Sequence, residues 1–341
     1  MMKPNLLITR LSAIGDCMET LPLAVALKEH WPQSKLTWIV DCGVDSLLKH
    51  HPAVDQVIRI RKGFLSRPRE LIRLRQPLRS LKIDISIDPQ GLFKSGVIGW
   101  LSGARHRIGF AKGQAREQAW RFYHEVVSPS SAHLVDRQLE LLQPLGIFSP
   151  HVHFGWNEPR SIGLEVEKIL CELNLFAQGF AIINPGASWA SKRWPVERYS
   201  TLAKKLFETT GLRSLVVWGN QDERMLAETI VSATPRATCL APDTSLMTLS
   251  GFLKRSRMYI GSDTGPMHMA VAVGTPCVAM FGTTRAEYCG PYGSMHRPLQ
   301  CRYDAGNSKY RRHTTNDAMQ EIQVSDVLER CLDVASKSAA A

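Results

Sequence analysis

Six apolar runs in this sequence each break off into a glycine-containing polar turn. In the first half, Asn5–Thr9 leads into Leu11-Ser12-Ala13-Ile14-Gly15-Asp16, and Ile83–Ile87 into Asp88-Pro89-Gln90-Gly91. In the second, Phe180–Asn184 leads into Pro185-Gly186-Ala187-Ser188, and Leu212–Trp218 into Gly219-Asn220. Met258–Ile260 leads into Gly261-Ser262-Asp263-Thr264-Gly265, and Cys277–Phe281 into Gly282-Thr283-Thr284. Leu36–Val40 and Val57–Ile60 also read as strands, while Cys17–His30, Phe93–Leu101, Glu158–Leu173 and Val324–Ser336 carry helical spacing. Strand, turn and helix in this repeat specify parallel βαβ units. The two series flank a less patterned stretch near Phe148–Trp156. The expected architecture is therefore α/β, with two Rossmann-like domains of parallel sheets facing each other across a cleft. They span 1–160 and 175–320, followed by a C-terminal helix and tail over 322–341. Ligands of open α/β sheets bind past the carboxyl ends of the strands, so the turns are the candidate sites.

Composition narrows the partner. The 341 residues carry 42 Lys and Arg against 31 Asp and Glu, a net +11. Residues 1–150 hold 21 basic and 13 acidic residues, so most of the excess lies there. Such a balance points to nucleic acid, an acidic membrane surface or a phosphorylated substrate. Between Arg59 and Lys82 there are nine basic residues, one acid (Glu70) and one aromatic (Phe64). Nucleic-acid surfaces interleave cations with exposed aromatics, so this stretch favours phosphate or membrane contact. No apolar run approaches the ~20 residues of a membrane-spanning helix. The N-terminus lacks a signal-peptide core, its short apolar piece being interrupted by Arg10. The eight cysteines, Cys42 among them, form no C-x-x-C pair and read as buried small side chains in a reducing cytoplasm.

The turns supply the chemistry. Gly15-Asp16 opens a helix, where Asp16 is either a cap or a carboxylate base aimed at the cleft. Lys94 follows Asp88 closely enough for a salt bridge or an anion contact. Ser188 and Lys192 lie in a loop that suits phosphate, although the P-loop spacing is absent. Asp263 or Ser262 can cap a helix running through Ala270, with Pro266 in its first turn. The amides of Thr264 and Gly265 would then face an anion, with His268 on the same face. Glu223 can hold a ribose diol or decorate a helix start. The sequence has no G-x-G-x-x-G, H-E-x-x-H or G-x-S-x-G and no metal-like His/Cys cluster, so neither a cofactor nor a metal is expected.

The ordered segments S-A-I-G-D-C-M-E-T-L-P at 12–22, D-P-Q-G-L-F-K-S at 88–95, Q-A-R-E at 114–117 and K-R-W-P at 192–195 resemble the ADP-heptose transferases of glycosyltransferase family nine. W-G-N-Q-D-E at 218–223, S-D-T-G-P-M-H at 262–268, F-G-T-T at 281–284 and G-P-Y-G at 290–293 extend the resemblance, which runs from about Leu6 to Arg302 and is nearest to the inner-core branch. It implies a GT-B fold, with the acceptor on the first domain and ADP-heptose on the second. The implied reaction is inverting transfer of heptose to a hydroxyl of a Kdo-lipid A type acceptor. In that reading Asp16 is the base, and Lys192 and Ser188 hold the diphosphate. Asp263, Thr264, Gly265 and His268 grip diphosphate and sugar, Glu223 the ribose, and Thr244 stands at the adenine. Lys94, Arg116, Arg61 and Lys62 would face the anionic glycolipid. The resemblance further implies a cytoplasmic enzyme held peripherally at the inner membrane, with no nucleic-acid partner. Ala187, Glu19 and Thr244 depart from residues frequent in the family and bear on fine specificity. A family member with another acceptor, or a basic nucleic-acid-binding protein, are the competing readings.

Overall fold

The computed structural model describes residues 3–41, 43–175 and 179–338. Cys42 and the Ala-rich end at 339–341 lie outside the described residues. The chain forms two units, Met1–Asn157 and Glu158–Ala341.

The first unit holds strands β1 (Asn5–Thr9), β2 (Lys35–Val40), β3 (Gln56–Arg59), β4 (Ile85–Asp88), β5 (His106–Phe110) and β6 (Glu125–Val127). They pair in the order β3-β2-β1-β4-β5-β6, all parallel. The second unit holds β7 (Phe180–Asn184), β8 (Arg213–Val216), β9 (Thr238–Leu240), β10 (Met258–Ser262), β11 (Cys277–Met280) and β12 (Arg297–Leu299). Its order, β12-β11-β10-β7-β8-β9, repeats the same topology and is again parallel throughout. In each unit the chain winds outward from a central strand, returns to that strand's other side and winds outward again. The connecting loops diverge where the order reverses, between β1 and β4 and between β7 and β10, which opens a crevice at the carboxyl ends.

The central strands are apolar because helices cover both faces. Every residue of β7, β10 and β11 is buried, as is β1 beyond Asn5. The outer strands differ. β6, β9 and β12 are three residues long, with half-exposed positions, and β5 begins with His106-Arg107. They carry no apolar run, which is why pattern alone did not identify them. The continuous helix expected over Cys17–His30 is two helices, Ile14–Glu19 and Leu21–His30. Pro22 falls in the first turn of the second, where its missing N–H does no harm, whereas inside one long helix it would remove a bond. The cysteines also depart from expectation. Cys17, Cys277 and Cys331 are buried, but Cys171 and Cys301 are exposed, and Cys239 and Cys289 are half-buried.

The last helix, Val324–Ser338, docks Val327, Cys331 and Val334 onto Tyr199, Leu202 and Leu206 of helix Val196–Thr210. In the first unit, β5 requires glycine at position 109. A Cβ there would sit 2.3 Å from the ring of Tyr123, which crosses the strand to reach Asp88.

His296, ahead of β12, is buried, and its Nδ1 accepts from the Cys277 N–H at 3.1 Å. Burial pushes its pKa down to about 4. The unfolded chain therefore takes up a proton near the ordinary histidine value that the folded chain refuses. Folding stability is expected to fall by roughly 3 kcal/mol from this group as pH drops from about 6.5 to about 4. Denaturant titrations of His296→Gln should show a flatter slope over that window; an unchanged slope would count against the assignment.

Candidate active site

In the first unit, the site begins one residue past β1. Arg10 turns inward and is buried. Its Nη2 pairs with Asp16 Oδ1 at 2.5 Å, and its Nη1 donates to the Pro89 carbonyl at 2.9 Å. Asp16 Oδ2 accepts from the Ala13 N–H at 2.8 Å. Ala13 is the N-cap of helix Ile14–Glu19, so Asp16 stands in its first turn and reaches back to the cap residue, as the third residue of a capping box does. It thus helps to start the helix, yet its side chain remains 37% exposed. Each carboxylate oxygen uses one hydrogen bond and keeps acceptor capacity for a proton.

The turn after β4 braces this arrangement. Gln90 Oε1 accepts from the Leu11 N–H at 2.8 Å. The buried Asp88 carboxylate accepts from the Gln90 and Gly91 N–H groups at 2.9 and 3.0 Å and from Tyr123 O–H at 2.7 Å. Burial pushes the Asp88 carboxyl above its ordinary value, against the pull of these hydrogen bonds. Asp88 therefore shapes the turn and does not meet Lys94. Lys94, in the first turn of helix Phe93–Leu101, pairs instead with Asp41 at 2.9 Å, and its Nζ lies 3.4 Å from Ser12 Oγ. It thereby joins the loops that follow β2, β1 and β4. Arg116 is exposed, and its backbone N–H donates to the Gly91 carbonyl at 2.8 Å, which docks its loop on the same turn. Arg61 and Lys62 are exposed past β3, at the outer side of the same sheet end, and no hydrogen bond or ion pair among the described residues ties them to Asp16.

In the second unit, Asn184 at the end of β7 links the two central loops. Its Nδ2 donates to Tyr259 Oη at 3.0 Å and to Thr264 Oγ1 at 3.2 Å, while its Oδ1 accepts from the Gly186 N–H. Lys192 ends the short turn Ala190–Lys192, and its Nζ meets Asp263 Oδ2 at 2.6 Å. The other oxygen of Asp263 lies 3.3 Å from His268 Nε2. Burial alone would raise the Asp263 carboxyl, but Lys192 and His268 outweigh it and hold the group well below the usual carboxylate range. Because these partners claim Asp263, the cap of helix Gly265–Ala272 is Thr264, not Asp263 or Ser262 as the sequence suggested. Pro266 does lie in the first turn, and Thr264 and Gly265 are half-buried, so solvent reaches this helix start.

The remaining candidates lie on neighbouring loops. Ser188 is exposed on the β7 loop, and Thr244 is half-buried past β9. Glu223 sits in the first turn of helix Gln221–Ala233. Its backbone N–H donates to the cap Asn220, and its carboxylate accepts from the Gly219 N–H at 2.9 Å. It also packs on Gly186, where a Cβ would come within 2.4 Å of it, so the β7 and β8 loops touch through Glu223. Sequence reasoning missed Arg10, Asp41, Gln90 and Asn184. A lone charged residue directly after an apolar strand was the available signal for Arg10.

The family model described as glycosyltransferase family 9 (heptosyltransferase) matches residues 71–318. The chain belongs to glycosyltransferase family 9. Lipopolysaccharide heptosyltransferase 1 of Pseudomonas aeruginosa is 28% identical to this family 9 chain over 307 residues, covering 85% of it and 81% of that protein. The protein of the same name from Escherichia coli K12 is 28% identical over 304 residues, covering 85% and 91%. Among solved structures, E. coli heptosyltransferase WaaC with ADP-2-deoxy-2-fluoro heptose is similar at a TM-score of 0.75 and 23% identity, over 96% of this chain and 99% of that one. E. coli ADP-heptose lps heptosyltransferase II gives 0.78 and 20%, over 98% and 99%. At these identities the structures establish a shared fold, the GT-B pattern of two doubly wound parallel sheets. Among the described residues of this family 9 enzyme, no group of three His, Cys, Asp or Glu side chains is placed to hold a metal ion. No described helix is long and apolar enough to cross a membrane.

Proposed function

We propose that this glycosyltransferase moves heptose from ADP-heptose to a hydroxyl of a Kdo-lipid A type acceptor in the lipopolysaccharide core, with inversion at the anomeric carbon. The observation that carries the reading is placement. The Arg10–Asp16 pair and the Lys192–Asp263–His268 cluster each occupy the strand-order reversal of their own sheet, where such folds bind ligands. The names of the relatives support the donor and acceptor classes.

In this mechanism Asp16 takes the proton as the acceptor oxygen attacks C1 of the heptose. Arg10 holds the carboxylate in place from its buried position. The bond from C1 to the diphosphate breaks, and the charge growing on ADP is met by the Lys192 ammonium and the amides at Thr264 and Gly265. Ser188, His268, Glu223 and Thr244 position the donor. Lys94, Arg116, Arg61 and Lys62 face the anionic acceptor.

The donor assignment is tested by thermal unfolding. A ligand present at 100 times its dissociation constant stabilises the folded state by about 2.7 kcal/mol. ADP-heptose is expected to raise the melting temperature by several degrees, well beyond UDP- or GDP-sugars. An equal shift with a UDP- or GDP-sugar would refute the donor.

The basic stretch supports a place at an anionic lipid surface. Helix Pro68–Ser80 turns Leu71, Leu74 and Leu78 toward the core and leaves Arg69, Arg73, Arg75 and Arg79 exposed. Ile72 stands among them 73% exposed, and no exposed aromatic accompanies it on this helix. Each such cation adds about 1 kcal/mol near an anionic membrane. Binding to vesicles containing anionic lipid should weaken steeply as salt rises; salt-insensitive binding would point to an apolar anchor instead.

A further inference from the structure

The Lys192–Asp263–His268 cluster carries little net positive charge. Lys192 is neutralised by Asp263 at 2.6 Å, and His268 leans on the same carboxylate. A nucleoside diphosphate brings several negative charges, and a site that takes it needs compensation from elsewhere.

The next element supplies it. Helix Ser308–His313 lies against the turn Ala190–Lys192, with Ser191 Oγ donating to the Arg311 carbonyl. This contact brings the Arg311 and Arg312 guanidinium carbons to 5.9 and 5.7 Å from the centroid of the Trp189 ring. Lys192 Nζ is already 4.7 Å from that centroid. Three cations therefore share one indole. The ring's negative face offsets part of their mutual repulsion, but it cannot satisfy guanidinium N–H donors. Among the described residues neither guanidinium forms an ion pair, and Arg311 Nε is buried without a hydrogen-bond partner. Arg312 and Ser188 are exposed and Trp189 is half-buried, so the cluster is open to solvent beside the β7 loop. Cations gathered with one carboxylate among them, and with guanidinium donors left over, match the oxygens of a phosphoryl group.

We propose that Trp189, Arg311 and Arg312 form a phosphate clamp that completes the diphosphate site beside Lys192. Arg312 supplies charge and donors from the solvent side. Arg311 does so from within, and Trp189 holds both guanidinium planes in place. This rests on the reading that the second unit takes a nucleotide sugar through its diphosphate.

The test measures binding of ADP, adenosine and inorganic pyrophosphate to the full chain by calorimetry, at low and high salt. Arg312 is exposed, so Arg312→Gln should leave the melting temperature unchanged. That variant is expected to weaken ADP and pyrophosphate roughly tenfold or more, keep adenosine within about twofold, and flatten the salt dependence of ADP binding. Arg312→Lys, which keeps the charge and loses the fork, should recover part of the loss. Unchanged ADP affinity in Arg312→Gln, or an equal loss for ADP and adenosine, would overturn the clamp. Wild-type protein that binds pyrophosphate through Arg312 but ignores ADP would leave the clamp standing and defeat the nucleotide reading. Wild-type protein that binds neither defeats both.

Discussion

Asp16→Asn is expected to lower the rate of sugar transfer by roughly 10²–10⁴-fold while leaving ADP affinity within about twofold. The separation follows from the fold. Asp16 stands in the first turn of the helix that follows β1, whereas Lys192, Asp263 and Glu223 belong to the other unit. Asparagine keeps the size of the side chain and one acceptor oxygen, which can stay on Arg10, but its amide cannot take a proton from an attacking hydroxyl. The bond from Ala13 N–H to the second carboxylate oxygen is then lost, so a modest loss of helix-start stability accompanies the change. A melting curve separates that loss from the kinetic one. Single-turnover transfer with ADP-heptose, at enzyme and donor concentrations well above the dissociation constant, reads the chemical step alone. Wild-type turnover in Asp16→Asn would remove Asp16 as the base.

How much of this site can be read without coordinates depends on how local each decision is. The central strands declare themselves because burial on both faces forces an apolar run, and the glycine-containing turns mark their carboxyl ends. Asp16, Lys192 and Asp263 stand out as ionisable groups in or just beyond such turns. Partner choice is another matter. Lys94 selects Asp41, 53 residues away, over the nearby Asp88, because Tyr123 and the Gln90 and Gly91 amides already occupy Asp88. Asp263 gives up the helix cap to Thr264 for the same kind of reason. Arg10 reads as an ordinary charge breaking an apolar stretch, and only the packing of the β4 turn over it turns it inward. Arg311 and Arg312 lie more than a hundred residues from Trp189 in sequence, and no periodicity could have joined them. The three-residue strands β6, β9 and β12 fail for a simpler reason: a half-exposed edge needs few apolar residues.

Lys192→Ala is expected to act on stability and catalysis separately. Lys192 and Asp263 are only 15% and 8% exposed, so the substitution strands a carboxylate in the interior, with the His268 imidazole 3.3 Å from its other oxygen. Removing one member of a buried pair destabilises by about 3–5 kcal/mol. Because Lys192 and His268 hold Asp263 below its ordinary range, the wild-type pair stabilises fully above the unfolded carboxylate value of about 4 and is lost as pH falls toward the folded one. The stability gap between wild type and Lys192→Ala should therefore be widest near neutral pH and narrow below about pH 4, measured by denaturant titration. Adding Asp263→Asn to the same chain removes the stranded charge and should restore most of the stability. It should not restore transfer, because in the proposed mechanism Lys192 is the cation that meets the departing diphosphate, and its loss costs about 10²–10³ in turnover. A stable double variant with wild-type turnover would show that Lys192 serves only to neutralise Asp263. A Lys192→Ala chain as stable as wild type at pH 7 would show that the pair adds nothing to folding, and its transfer rate would then read the catalytic loss without any correction for unfolding.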